Sequence, residues 1–198
     1  QFDYNGGSSW KLVTTQVFRD PSAWYHIVAV ADTTNATSSD RLKLYVNGSR
    51  VTAFSTANYP SQNANGTFNQ AYTHALGART NPSDYFDGYM AEVYFIGGSA
   101  LTPSSFGETN ASTGVWQPKA YSGSYGTNGF YLKFSDIATT SGSNSGLGKD
   151  FSGNGNYWNT NNISVTAGTT YDAMTDSPTP SSGTVGNFAV MNPLYVDA

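Results

Sequence analysis

Trp24-Tyr25-His26-Ile27-Val28-Ala29-Val30-Ala31-Asp32, followed by Arg41-Leu42-Lys43-Leu44-Tyr45-Val46-Asn47-Gly48, decides the fold class. The first stretch is apolar on both faces of an extended chain, which predicts a central strand covered by a second sheet. The second alternates cleanly: Leu42, Leu44 and Val46 point one way, and Arg41, Lys43 and Tyr45 the other. Asn47-Gly48 tolerates the positive φ of a tight hairpin, from which Arg50 to Phe54 returns. Outward from this pair, Tyr89 to Ile96 alternates again, with Tyr89, Ala91, Val93 and Phe95 on one face. Trp10 to Phe18 reads as a further strand. Two stretches carry the turn chemistry of loops. They are Ser55 to Tyr72, with Pro60 and Asn65-Gly66, and Ala78 to Asp84, with Asn81-Pro82. Leu101 to Phe106 suits a single helical turn, capped by Thr102 with Pro103 at its first position. No window of helical length has a 3.6 period, so the expected class is all-β, an antiparallel sandwich with excursions at its rim.

Composition narrows the function. The 198 residues are 15% aromatic and 11% charged, with net charge −4 and no cysteine. The aromatics suffice for a core, and solubility rests on Ser, Thr, Asn and Gly. Nine Lys+Arg in an acidic chain offer no basic stripe for nucleic acid or an anionic membrane. No apolar run reaches the ~20 residues that span a bilayer. Without cysteine there are no disulfides, thiol nucleophiles or Cys-ligated zinc. Five Asn-x-Ser/Thr sequons, at Asn35, Asn47, Asn65, Asn110 and Asn162, carry no information, because composition alone predicts roughly four. The chain opens at Gln1 without a leader and reads as a piece of something longer.

The texture changes near Gln117. Ser122 to Gly129 and Thr139 to Gly148 are rich in Gly, Ser and Asn and flank one strand, Phe130 to Phe134; Thr175 to Gly186 is rich in Ser, Pro and Thr. Residues 1–117 therefore read as the sandwich, and 118–198 as an irregular, strand-poor extension wrapped on it or connecting to a further domain.

Trp24 to Val30, Leu42 to Gly48, Phe86-Asp87-Gly88-Tyr89-Met90-Ala91-Glu92-Val93 and the Leu101-Thr102-Pro103 turn resemble, in order and spacing, successive signatures of laminin-G-like, concanavalin A-like domains. The resemblance covers roughly residues 10–107 and implies a jelly-roll sandwich. Tyr125 to Leu132 and Gly148 to Trp158 resemble a segment recurrent in large structural proteins of marine tailed phages. That likeness implies a virion appendage such as a tail fibre. Fold alone does not fix function, since such sandwiches serve as lectins, adhesion modules, glycosidases and spacers.

Candidate chemistry is sparse. The β-glucanases of this fold carry an E-x-D-x-x-E strand motif, whereas this chain has two glutamates, Glu92 and Glu108. The same-face neighbour of Glu92 in a strand is Met90, and Asp87 is an odd five residues away, so Glu92 reads as an exposed strand residue. His26 lies in the most hydrophobic strand and reads as a hydrogen-bonded structural histidine. His74 lacks a nearby acid, and no G-x-S-x-G marks a nucleophile. The protein is therefore expected not to be an enzyme and to require no cofactor.

The resemblance implies one metal, a structural calcium at the sandwich rim. Its weak candidates are Asp32, Asp40, Asp84, Asp87 and Asp150, the last with Asn154 and Asn156; plain turn chemistry accounts for the same residues. A sugar needs an aromatic platform beside amides and carboxylates. Tyr59, Tyr72, Arg79, Asn81, Asp84 and Tyr85, with Asn63 nearby, fit that description, although these tyrosines equally suit packing on the sandwich edge or a neighbouring subunit. Trp10, Trp24, Trp116 and Trp158 read as core or anchoring residues.

The expected function is a non-catalytic structural or adhesion protein of a virion appendage or other extracellular assembly, whose lectin-like sandwich binds glycans. The alternatives are a stand-alone carbohydrate-binding module and a polysaccharide-degrading enzyme. Expected partners are other copies of itself or other structural subunits, and cell-surface polysaccharide, at an extracellular or virion-surface location.

Overall fold

Leu42 and Leu44 are the inward-facing residues of β4 (Leu42–Val46), and both are buried. They meet Trp10 and Leu12, which alternate in the same sense along β2 (Trp10–Thr14), in one core cluster. Val51, Phe54, Tyr59 and Ala64 pack against it. Period-2 patterning in two strands far apart in sequence thus creates two apolar faces that bury one another. The computed structural model describes residues 2–4, 10–20, 23–67, 69–78, 85–136, 138–139, 142–166 and 172.

Among these residues every strand pairing is antiparallel. One sheet runs β1 (Phe2–Tyr4), β2, β6 (Phe54–Asn58), and a second runs β3 (Ile27–Ala31), β4, β5 (Ser49–Arg50). Two further pairs join β7 (Val93–Phe95) to β10 (Phe130–Leu132) and β8 (Gly107–Thr109) to β9 (Trp116–Pro118). The β4–β5 turn is Asn47-Gly48, with φ of 46° and 81°, as its residue types require.

Several expectations are corrected, and one is the hairpin return expected over Arg50 to Phe54: β5 is Ser49–Arg50, and Phe54 opens β6 of the other sheet. Among the described residues β3 is an edge strand, not a central one. Val30 on one face is buried, but Ile27 on the other is 50% exposed and Ala29 and Ala31 are exposed too, because the covering sheet sits over β4 and stops short of β3. The strand expected over Tyr89 to Ile96 shrinks to Val93–Phe95, leaving Tyr89 and Met90 exposed. The strand expected to reach Phe18 ends at Thr14, after a register shift at Val13/Thr14, and Val17 and Phe18 are exposed. Ser55 to Asn58, expected in a loop, belongs to β6. Its backbone completes the ladder to β2 while Phe54 packs on the core, so polar side chains do not prevent pairing. Pro103 does open a short 3₁₀ turn, Pro103–Ser105, but Thr102 makes no capping bond to it; its hydroxyl bonds the Ser104 hydroxyl instead, at 2.9 Å.

Trp116 ties the β3–β4–β5 sheet to the β8–β9 pair. Its indole Nε1 donates to Nδ1 of His26 at 3.0 Å. The ring lies so close to Gly48 and Gly107 that a Cβ at either would stand within 2.6 Å of it. Gly48 also needs its positive φ, whereas at Gly107 the constraint is contact alone.

Two outcomes are expected. Gly107→Ala should lower stability by about 1–3 kcal/mol, measured by thermal or urea unfolding. Burial lowers the His26 pKa from its ordinary 6.5, so the unfolded chain takes up a proton that the folded chain resists. Stability from this residue is therefore complete above pH 6.5 and falls as the pH drops below it. Melting curves between pH 7.5 and 5 should show a decline that His26→Phe flattens.

Candidate functional site

β7 and β10 are separated by 34 residues yet pair in one register: Val93 opposite Leu132, Tyr94 opposite Tyr131, Phe95 opposite Phe130. Alternation sends Leu132, which is buried, to one face and the tyrosines to the other. The Tyr94 and Tyr131 rings stack at 4.2 Å with planes 8° apart. Tyr125 lies nearly parallel to both at 6.5 Å, and Tyr121 meets Tyr125 edge-on at 5.2 Å. Phe106 closes the back of this aromatic block, 5.1 Å from Tyr121 and 5.3 Å from Tyr94.

The block borders a cleft of about 240 Å³, lined by Glu92, Tyr94, Pro118, Lys119, Ala120, Tyr121, Tyr131 and Lys133. Tyr131 donates its hydroxyl to Glu92 Oε1 at 3.2 Å. Glu92 is partly buried and lies just before β7 rather than within it, with φ of 52°. The expectation of an exposed strand residue is thereby corrected. A left-handed backbone at a glutamate costs of order 1 kcal/mol or more, and here it turns the carboxylate toward the tyrosine face. Burial, then hydrogen bonding between the two hydroxyls and the charge of Glu92, push the Tyr131 hydroxyl far above its ordinary range. Burial chiefly raises Tyr94 to about 12. Both stay protonated at any physiological pH and act as hydroxyl donors. Lys119 and Lys133 are exposed at the cleft. Lys119 Nζ donates to the Ser104 carbonyl at 3.2 Å, and Lys133 Nζ lies 5.6 Å from the Phe151 ring centre. One carboxylate, two ammonium groups and phenolic hydroxyls beside aromatic walls make a surface suited to vicinal hydroxyls.

The Asp150 carboxylate holds this arrangement in place. It is 4% exposed and accepts from Tyr131 N (2.9 Å), Ser152 N and Oγ (2.8 Å each) and Asn156 N (2.8 Å). Burial alone would raise its pKa, but these donors outweigh burial and hold it below 3.8. Asn154 Nδ2 donates to the carbonyls of Gly126 and Gly129, and Asn156 Nδ2 to those of Thr127 and Gly129. The stretch 150–156 thus clamps the turn that leads into β10.

The loop residues named from sequence are not assembled in this way. Tyr59 packs on the core, while Tyr72 and Tyr85 are 66% and 68% exposed, and none of the three lines the cleft. Arg79, Asn81 and Asp84 lie outside the described residues. Of the calcium candidates, Asp32 Oδ1 accepts from Thr34 N and Oγ1, Asp40 pairs with Arg50 at 2.6 Å, Asp87 is exposed, and Asp150 has the four donors above. Among the described residues, no three His, Asp or Glu side chains gather as a metal site. The cleft residues were missed because no local pattern joins positions 92–94 to 118–133; the adjacent aromatics Phe130-Tyr131 in a strand-like run were the one signal.

A family model described as the concanavalin A-like lectin/glucanases superfamily matches residues 1–105, more than half the chain, and the protein belongs to that superfamily. No curated protein and no solved structure matches it. The matched region contributes Glu92 and Tyr94; the other cleft residues lie beyond it.

Asp150→Ala should leave several buried donors unsatisfied and cost about 2–4 kcal/mol in unfolding measurements at pH 7. Because the folded-state pKa is depressed, the wild-type advantage should be present above pH ~4 and vanish as the pH falls further.

Proposed function

We propose that this protein is a non-catalytic, glycan-binding adhesion module, built as a jelly-roll sandwich, and that it binds saccharide in the cleft between β7, β10 and residues 118–121. The observation that carries this reading is the Glu92 carboxylate held against the stacked Tyr94–Tyr131 pair, beside Tyr121 and two lysines. Glu92 accepts from sugar hydroxyls, the lysines and phenols donate to them, and the aromatic walls take the apolar sugar faces. Membership of a superfamily that contains lectins supports the same reading.

Binding without turnover is favoured by the donor set. Glycoside hydrolysis ordinarily needs two carboxylates about 5–10 Å apart. Among the described residues Glu92 is the one carboxylate lining the cleft, while Glu108 is exposed and its Oε1 accepts from Gln117 Nε2 at 3.4 Å. We place the module in an extracellular or virion-surface assembly. Its support is the cysteine-free, charge-poor composition and the phage-like stretches 125–132 and 148–158, which pack together as the Asp150 clamp.

A glycan array probed with the whole chain should give a defined set of hits. Isothermal titration of a hit should then show Glu92→Gln and Tyr121→Ala each weakening binding about 10- to 100-fold, with the melting temperature of Glu92→Gln near wild type. Loss of binding in Tyr85→Ala with retention in Glu92→Gln would move the site to the 72–87 loops, and a blank array would remove the reading.

A further inference from the structure

Among the described residues, the outer edge of β3 is a place where sequence and backbone conflict with solitude. Asn47 N donates to the His26 carbonyl and Asp32 N to the Arg41 carbonyl, each at 2.8 Å. Together with the register Ile27 opposite Val46 through Ala31 opposite Leu42, these bonds direct the backbone groups of Val28 and Val30 at β4. The N–H and C=O groups of Ile27, Ala29 and Ala31 therefore point away from the sheet, and none has a partner among the described residues. Edge strands ordinarily carry lysine, proline or a bulge that blocks pairing; Ile27-Val28-Ala29-Val30-Ala31 carries none. The side chains of Ile27, Ala29 and Ala31 are also exposed on the face the opposite sheet does not cover.

We propose that this edge pairs with β3 of a second copy of the chain, antiparallel about a two-fold axis at Ala29. An antiparallel edge meets its own copy by symmetry, so three outward N–H and three outward C=O groups per chain give six backbone hydrogen bonds. The register places each Ile27 across from an Ala31, filling the open face with one large and one small residue. It also sets His26 opposite Asp32 of the second copy. His26 accepts from Trp116 through Nδ1, which leaves Nε2–H as a donor, and Asp32 commits Oδ1 to Thr34, which leaves Oδ2 as an acceptor. Donor thus meets acceptor at both ends of the ladder. A free extended segment from another protein would satisfy the backbone groups but not this reciprocal pair. The pairing does not depend on the cleft, so Glu92→Gln should dimerise normally.

Sedimentation velocity of the 198-residue chain from 1 to 200 μM should show a monomer–dimer equilibrium with a Kd on the order of 10 μM. Ala29→Pro, which removes an outward N–H without touching the β4 ladder, and Ala31→Lys, which brings charge to the edge, should each weaken it at least tenfold. Circular dichroism checks folding, and Ala31→Lys carries the test if Ala29→Pro fails to fold. Amide exchange at Ile27, Ala29 and Ala31 should slow as concentration rises. A monomer throughout the range, an oligomer indifferent to the variants, or slow exchange at these amides in the monomer would each overturn the proposal, the last by placing the chain's own backbone on this edge.

Discussion

The pairing of Tyr94 with Tyr131 is the constraint on which the candidate site depends. It joins a strand inside the superfamily region to one that starts after 34 intervening residues, and in doing so fixes the ring stack and points the Tyr131 hydroxyl at Glu92. Such a contact is costly to form, because a long loop must close before the pair gains anything. The Asp150 carboxylate offsets that cost locally: it takes the Tyr131 amide while residues 152–156 grip the preceding turn. A left-handed glutamate is tolerable in this setting, since the surrounding bonds over-determine its place.

A second tie acts at the other side of the molecule. Trp116 reaches His26 across 90 residues of sequence and occupies space that only glycine at positions 48 and 107 leaves open. Residues beyond 105 therefore supply structural closure as well as most of the cleft. The laminin-G-like half brings the two three-stranded sheets, and the stretch that follows brings β8 to β10, most of the cleft's tyrosines, its lysines and the clamp. Polar, glycine-rich texture is compatible with an ordered role because backbone carbonyls at Gly126, Thr127 and Gly129 are satisfied by asparagine side chains rather than by a ladder.

What was legible in the sequence was local. The alternation of Leu42 and Leu44, the Asn47-Gly48 turn, the 3₁₀ turn at Pro103 and the structural use of His26 all follow from neighbours within a few residues or from one residue's setting. What was not legible was partner choice. β3 looks central because both its faces are apolar, yet burial depends on where the opposite sheet stops. Glu92 looked like a strand residue because the alternation from Tyr89 to Phe95 gives no sign of a left-handed turn. The loop tyrosines Tyr72 and Tyr85 satisfied the chemical description of a sugar platform, but chemical type does not tell which aromatics stack together. Register between residues 93–95 and 130–132, set by tertiary pairing, decided that.

The most direct test of the central claim is an NMR titration of the isotope-labelled chain with a bound saccharide. Shift changes should concentrate at Glu92, Tyr94, Lys119, Tyr121, Tyr131 and Lys133 of the cleft. Changes confined to residues 72–78 and 85–90, with the cleft silent, would contradict that claim.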